Sequence, residues 1–236
     1  MKLALVGDLH GNLPATMAME KELSAVGAEE IYFLGDAVGK GPSNAETCDW
    51  VRMHCTVCVG GNWDYGIGGR EFPADEYFWN QLGEERMAWL NALPREAELW
   101  MSGVRFRLFH GRPVTDLLTV QMDKEVLEST FHTPAGDFGG VIFADCHRPF
   151  LRTLNAGYML NTGSVGNSMG VPRAHALLLE GAKDSREPAS LRMTILAVPY
   201  DTAAAVALAD PALPHREEYI RERPEAQAAP CPSKAL

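Results

Sequence analysis

Short apolar runs closed by a polar turn recur along this chain. Lys2–Gly7 is a β-rich run of this kind. Pro14–Val26 has helical spacing, with Leu13, Met17, Leu23 and Val26 apolar, Pro14 acceptable in a first turn and Gly27 as the stop. Glu30–Leu34 is a second strand, closed by Gly35-Asp36. Ser43 and Glu46 have capping-box spacing and open a helix to about Met53. Thr56–Val59 is a third strand, closed by Gly60-Gly61-Asn62. The order β-α-β-α-β predicts a parallel sheet with helices packed on it.

The stretch from Trp63 to Pro94 is rich in aromatics and predicts a helix from about Asp75 to Leu93. Glu96–Ser102 and Val104–Phe109 flank Gly103 as a hairpin would. Asp123–His132 has the pattern of a helix. Val141–Ala144, Leu151–Leu154, Tyr158–Leu160, Ala176–Glu180 and Met193–Val198 read as strands, and Asp201–Leu208 as a helix. Residues 1–209 are thus expected to form one domain. From Asp210 to Leu236, Pro, Glu, Arg and Ala dominate, which predicts a loosely packed or partly disordered tail (210–236).

At 236 residues the chain is long enough for a sizeable core. Its net charge of -10, from 21 Lys+Arg against 31 Asp+Glu, argues against long nucleic acid and against an anionic membrane surface. A small phosphorylated substrate held by a local cation is compatible with it. Leu3–Val6 is too short for a signal-peptide core, and no run approaches the ~18 apolar residues of a spanning helix, so a cytoplasmic protein is expected. Five cysteines (Cys48, Cys55, Cys58, Cys146 and Cys231) in a chain of this size argue against a disulfide framework. Cys55 and Cys58 lack a second pair to complete a zinc site. On a strand, residues three apart face opposite ways, so these two read as core.

The chemistry lies in what terminates the strands. The first three end in Asp8-Leu9-His10, Asp36 and Asn62, and later ones in His110 and Asp145-Cys146-His147. In open α/β sheets the carboxyl ends of the strands line one edge, where ligand sites form. Taken singly, each of these residues is explained by a turn or a cap. In this order they converge, and three carboxylates with three imidazoles call for a cation between them. Oxygen and nitrogen donors without thiolate suit Mn²⁺, Fe²⁺ or Zn²⁺ better than Mg²⁺. Seven side chains exceed the needs of one ion and match two ions sharing a bridging carboxylate. His54, His132, His175 and His215 lack such a setting and read as surface or core residues.

With GDLHGN at 7–12, GDAVGKGPS at 35–43, GNWD at 61–64, HG at 110–111 and ADCH at 144–147, the chain resembles the calcineurin-like metallophosphoesterase superfamily. NTGSVGN at 161–167 is similar to the N-P-G-S-V-G stretch of its small bacterial phosphodiesterase branch. The resemblance implies an α/β fold, a four-layer α-β-β-α sandwich of two mixed sheets. It implies two divalent metal ions, Mn²⁺ first, with Fe or Zn as alternatives. Asp8, His10 and His147 would hold one ion and Asn62, His110 and Asp145 the other, with Asp36 as the bridge. Gly11 and Asn12 would shape the first loop, and Asn161, Gly163 and Ser164 would pack around the site. Family members often self-associate, so a homo-oligomer is an expectation.

The chain departs from the family pattern twice. Asp145 replaces the first His of G-H-x-H, which makes the site harder and more negative. Trp63 replaces the His of G-N-H-D, which in the family protonates the leaving oxygen or stabilises the transition state. An indole N–H donates a hydrogen bond but exchanges no proton at neutral pH. General-acid help is worth ~10²–10⁴-fold, whereas metals supply the nucleophile and most charge stabilisation. The expected activity is hydrolysis of phosphodiesters or nucleotide polyphosphates, whose leaving groups are acidic, by a metal-bridging hydroxide. Asp36, Asn62, Asp64 and His110 are the catalytic candidates. Lys40, aligned with the phosphate-binding Arg of the protein-phosphatase branch, Trp63 and Arg112 are the substrate-contact candidates; for Lys40 and Arg112 the alternative is a solvated basic side chain. The aromatics from Trp63 to Trp89 read first as core and second as a base-stacking cap. Two other readings stay open: a serine/threonine phosphoprotein phosphatase, suggested by GKGPS, and a catalytically weak metal- or nucleotide-binding protein.

Overall fold

The computed structural model describes residues 1–72 and 75–224. In chain order the elements are β1 (Lys2–Val6), α1 (Leu13–Val26), β2 (Glu30–Leu34), α2 (Asn44–His54), β3 (Val57–Val59), α3 (Asn62–Gly68) and α4 (Glu76–Asn91). Then come β4 (Glu96–Met101), β5 (Val104–Phe109), α5 (Lys124–Ser129), β6 (His132–Thr133), β7 (Gly136–Asp137), β8 (Gly140–Phe143) and β9 (Phe150–Thr153). The chain continues through β10 (Tyr158–Asn161), β11 (Arg173–Glu180), β12 (Arg192–Pro199), α6 (Thr202–Ala207) and α7 (Arg216–Arg221).

Two five-stranded sheets result, in the orders β12-β11-β1-β2-β3 and β4-β5-β8-β10-β9, with β6-β7 as a separate ribbon. β1, β2 and β3 are parallel, as the β-α-β-α-β order predicts, and β11 adds antiparallel to β1. In the second sheet β5, β8 and β10 are parallel, with β4 and β9 antiparallel at its edges. Both sheets are therefore mixed.

Strand alternation sorts the side chains into layers. Leu3 and Leu5 of β1 join Leu34, Phe106, Leu108, Ile142 and Leu160 in a buried core shared by the two sheets. Ala4 and Val6, which face the other way, pack with Met19 and Leu23 of α1. Behind the second sheet Phe109, Phe143 and Met159 meet Leu118, Leu127 and Phe131. Central strands covered on both faces need apolar residues at every position, hence the unbroken runs LALV and VIF. The four-layer sandwich is the architecture that these three cores build.

Several elements differ from the sequence pattern. Ser43 precedes α2 but makes no side-chain capping bond, so the expected capping box does not form. Thr47 Oγ1 instead bonds Ala37 O and Ser43 O, tying α2 to the loop after β2. α4 is broken at Gly83, which has φ 68°. α3 is not predicted, because Gly66 and Gly68 depress helix propensity. Residues 210–224 include α7 and a few anchoring contacts. Leu213, Tyr219 and Arg223 are buried, and Arg223 Nη2 donates to Gly166 O at 2.7 Å. A few anchoring side chains hold this segment, which a composition argument overlooks. The rest of the expected tail, 225–236, with Cys231, lies outside the described residues. Cys48, Cys55, Cys58 and Cys146 are free thiols. Among the described residues no helix is long and apolar enough to cross a membrane.

Candidate metal centre

The carboxyl ends of β1, β2, β3, β5 and β8 meet at one edge and deliver Asp8 and His10, Asp36, Asn62, His110, and Asp145 and His147. Asp8, His10, Asp36, Asp145 and His147 all have positive φ, between 46° and 63°. A non-glycine residue in this region costs about 1–2 kcal/mol, and such strain collects where function over-determines the backbone. Cross-loop bonds hold the turns: Asp8 N to Gly35 O at 2.9 Å, His10 N to Asp36 O at 3.1 Å, and Asp145 N to Asp8 Oδ2 at 3.1 Å. Ser164 Oγ and Gly166 N both donate to Asp8 O, and Asn12 Nδ2 donates to Gly166 O, so the 161–167 segment braces the first loop.

Each imidazole commits its Nδ1–H to a backbone carbonyl: His10 to Val38 O at 3.1 Å, His110 to Leu34 O at 2.6 Å and His147 to Asn167 O at 2.6 Å. A carbonyl only accepts, so each ring in its neutral form turns an Nε2 lone pair inward. These three lone pairs converge on carboxylates. Asp8 Oδ1 lies 3.6 Å from His10, 3.8 Å from His110 and 3.2 Å from His147, Nε2 in every case. Asp36 Oδ2 lies 3.2 Å from His110 Nε2 and 3.7 Å from His10 Nε2. Asp8 Oδ1, His110 Nε2 and Asn62 Oδ1 are buried without a hydrogen-bond partner among the described residues.

The site is an acceptor set that demands positive charge. Against the cost of full burial, His147 and His10 hold Asp8 well below the usual carboxylate range. Burial lowers His110, but the charges of Asp36, Asp8 and Asp145 overcome it and raise the imidazole to about 10. Burial, then the Lys40 charge, pushes His10 down to about 4. A divalent cation answers this demand without protonating a ring, and imidazoles anchored through Nδ1–H to carbonyls are the usual outer shell of metal ligands. Among the described residues, two groups have donor atoms close enough to share an ion: Asp8, His10 and His147, and Asp8, Asp36 and His110. Asp8 belongs to both, and Asp36, the bridge of the motif pattern, also has its Oδ2 near an imidazole of each group, 3.2 Å from His110 and 3.7 Å from His10.

A sequence family model, the Calcineurin-like phosphoesterase superfamily domain, matches residues 1–184. The chain belongs to the calcineurin-like phosphoesterase superfamily. An uncharacterized protein of Methanocaldococcus jannaschii is 26% identical over 173 residues, 69% of each chain. A metallophosphoesterase of Sphaerobacter thermophilus is 25% identical and superposes with a TM-score of 0.73, covering 94% of this chain and 97% of that one. A hypothetical protein of Pyrococcus horikoshii, at 21% identity and TM-score 0.75, shares the fold over 94% of this chain and 98% of its own. As a calcineurin-like phosphoesterase with this donor set, the protein is a metal-dependent phosphoester hydrolase.

The remaining candidate residues of this calcineurin-like phosphoesterase have partners of their own. Asp145 lies 3.9 Å from His110 but stands in neither metal group. Its carboxylate is occupied by Arg112, through Nη2 at 2.6 Å, Nε at 2.9 Å and the backbone N at 3.0 Å. Asp145, a ligand candidate, and Arg112, a phosphate-contact candidate, thus face each other as an ion pair in this structure. Asp64 accepts from the backbone amides of Asp36, Ala37 and Gly61, at 2.7, 2.9 and 3.0 Å. Burial and the Asp36 charge push it up to about 7 while those amides hold it back. It braces the Asp36 loop. Trp63 turns its ring edge to His10, centroids 5.9 Å apart, and Lys40 Nζ lies 5.6 Å from the Trp63 ring centroid. Gly39 makes room for that indole, because a Cβ there would come within 2.3 Å of the ring. The other aromatics split: Phe78 is buried in the helical core, while Phe72 packs edge-on against Trp63.

Proposed function

We propose that the protein hydrolyses phosphodiesters and the anhydride links of nucleotide polyphosphates. Two divalent ions, Mn²⁺ first and Fe or Zn as alternatives, would be held by Asp8, His10 and His147 and by Asp8, Asp36, Asn62 and His110. Convergence of three Nε2 lone pairs on Asp8 and Asp36 carries this reading. When bound, such ions supply Lewis-acid stabilisation of the phosphoryl oxygens and water of lowered pKa.

The chain's own groups decide what is cleaved. The three Nδ1–H bonds keep the imidazoles in one tautomer, so they serve as ligands and not as proton donors. Asp64 fixes the Asp36 turn through three amides. Lys40, beside His10 and Trp63, offers an ammonium to a phosphoryl oxygen. Trp63 can donate one hydrogen bond but cannot protonate a departing alkoxide. An alkyl monoester needs that proton most, whereas an aryl diester or a phosphoanhydride leaves as a weaker base. The similarity to the Sphaerobacter metallophosphoesterase and the acidic charge of the chain support a small phosphorylated substrate and no long nucleic acid.

The test is turnover by purified protein with Mn²⁺ of an aryl phosphodiester, an aryl monoester and a dinucleoside tetraphosphate. Diester and polyphosphate should lead the monoester. No turnover of any, across several metals, would leave a binding protein. Asp36→Asn should lower activity at least about 100-fold and reduce bound metal with it.

A further inference from the structure

A cavity of about 250 Å³ opens beside the metal centre, between Lys40, α3, the start of α4 and the segment that carries α7. Lys40 and Trp63 belong to both places. On one side Trp63 meets His10 and the Lys40 charge reaches the same imidazole. On the other side both residues line the cavity. A substituent on a phosphoryl group held at the metal centre passes these two residues to enter it.

The far wall has the opposite charge. Asp75, Glu218 and Glu222 line the cavity, so three carboxylates stand against one ammonium and the imidazole of His215, with Phe78 beside them. Glu218 and Glu222 are four residues apart, within α7 and at its C-cap, which puts them on one face. The volume equals that of about eight waters. It admits a small head group and excludes a peptide or an oligonucleotide. Carboxylates beside an aromatic face bind an ammonium, free or methylated, and repel a second phosphate. The phosphate end of the site, by contrast, carries the Lys40 ammonium and would become cationic with its divalent ions bound. The whole is complementary to a zwitterion.

Resting on the phosphodiesterase reading above, we infer that this cavity receives an amine or quaternary-ammonium substituent, and that phosphodiesters of ammonium alcohols are the preferred substrate class. The experiment compares p-nitrophenyl phosphorylcholine with its uncharged isostere, the 3,3-dimethylbutyl p-nitrophenyl diester, using the full chain with Mn²⁺ and bis(p-nitrophenyl) phosphate as control. Water cleaves the P–O(aryl) bond in each, releasing nitrophenolate and leaving the other ester intact. The charged ester should have a kcat/KM at least about tenfold higher. That ratio should fall to about one in the Glu218→Gln/Glu222→Gln double variant.

Equal rates in the parent would overturn the subsite, while turnover of the control would leave the phosphodiesterase reading standing. A preference that survives the double variant would overturn the assignment to α7. If no ester is cleaved, the phosphodiesterase reading falls instead, and binding then decides the subsite. Calorimetric titration should show phosphocholine binding at least about tenfold more tightly than 3,3-dimethylbutyl phosphate; equal affinities would overturn the proposal.

Discussion

His10 and His147 face each other Nε2 to Nε2 across 3.2 Å, while the Nδ1 of each is spent on a backbone carbonyl. Two inward lone pairs at that distance, with Asp8 beside both, repel unless positive charge comes between them. The folded state should therefore bind divalent cations far better than the unfolded chain. At 100 times its Kd, a bound ion adds about 2.7 kcal/mol, or about 5–10 °C in Tm for a chain of this size. Calorimetric melts in chelator and in graded Mn²⁺ check this, and a Tm indifferent to both would refute the metal centre.

Asp64 makes the Asp36 turn possible, since one carboxylate satisfies three amides that would otherwise be buried unpaired. Asp64→Asn keeps the shape but sets an N–H donor against one of those amides. Stability should drop by about 2–4 kcal/mol. Activity at saturating metal should fall about 10–100-fold, the range for residues that orient ligands. Denaturant melts and kcat measure the two effects, and a variant as stable as the parent would contradict the role.

Strand ends pointed to the site from the chain alone, because each donor follows an apolar run whose end is fixed by hydrophobicity. Local patterns could not reveal how two distant side chains divide their charge. Asp145 and Arg112 are 33 residues apart, and only the tertiary turn that gives Asp145 φ 63° brings them together. The partners of Asp64 were hidden for a related reason: they are main-chain amides, invisible to residue type. The segment after Asp210 escaped notice because Tyr219 and Arg223 anchor it singly, without the periodic apolar stripe that marks a helix.

The Arg112–Asp145 pair should behave differently in two media. Arg112→Met leaves a buried carboxylate beside Asp8 with no guanidinium to offset it. In chelator the variant should be less stable than the parent by about 1–2 kcal/mol, because Asp145 is buried but the Arg112 guanidinium that it loses is half exposed and screened by solvent. In excess Mn²⁺ the gap should narrow, as the freed carboxylate meets a cation instead. Parallel melts in both media test this, and a gap independent of metal would show that Asp145 stays out of the ligand set even when released.

His175 gives the fold a pH dependence separate from the metal ligands. It is buried, its Nδ1 lies 3.0 Å from Ser168 Oγ, and burial, with the charges of Arg148 and Arg173, pushes it from 6.5 to about 4. A depressed histidine pKa means that the unfolded chain takes up a proton first as pH falls. The stability is intact above pH 6.5 and is lost progressively towards pH 4, by about 2–3 kcal/mol in all. His175→Asn should flatten the stability profile over that window relative to the parent. Identical slopes in the two proteins would show that His175 does not set this dependence.

Trp63 tests the link between this site and its substrates most directly. Its indole is packed against Gly39 and Phe72 and meets His10 edge-on, so the position is filled and adjacent to the ligands. Trp63→His leaves some of that space empty, at a cost of about 2–3 kcal/mol. It also supplies a group able to give up a proton near neutral pH. Hydrolysis of alkyl monoesters should rise relative to aryl diesters by about 100-fold, and the monoester rate should acquire a basic limb as the imidazolium titrates. Trp63→Phe, which removes the indole N–H and adds no acid, should show neither change. An unaltered monoester-to-diester ratio in Trp63→His, with the fold and bound metal intact, would place residue 63 away from the leaving oxygen. The missing proton donor would then no longer explain a diester preference.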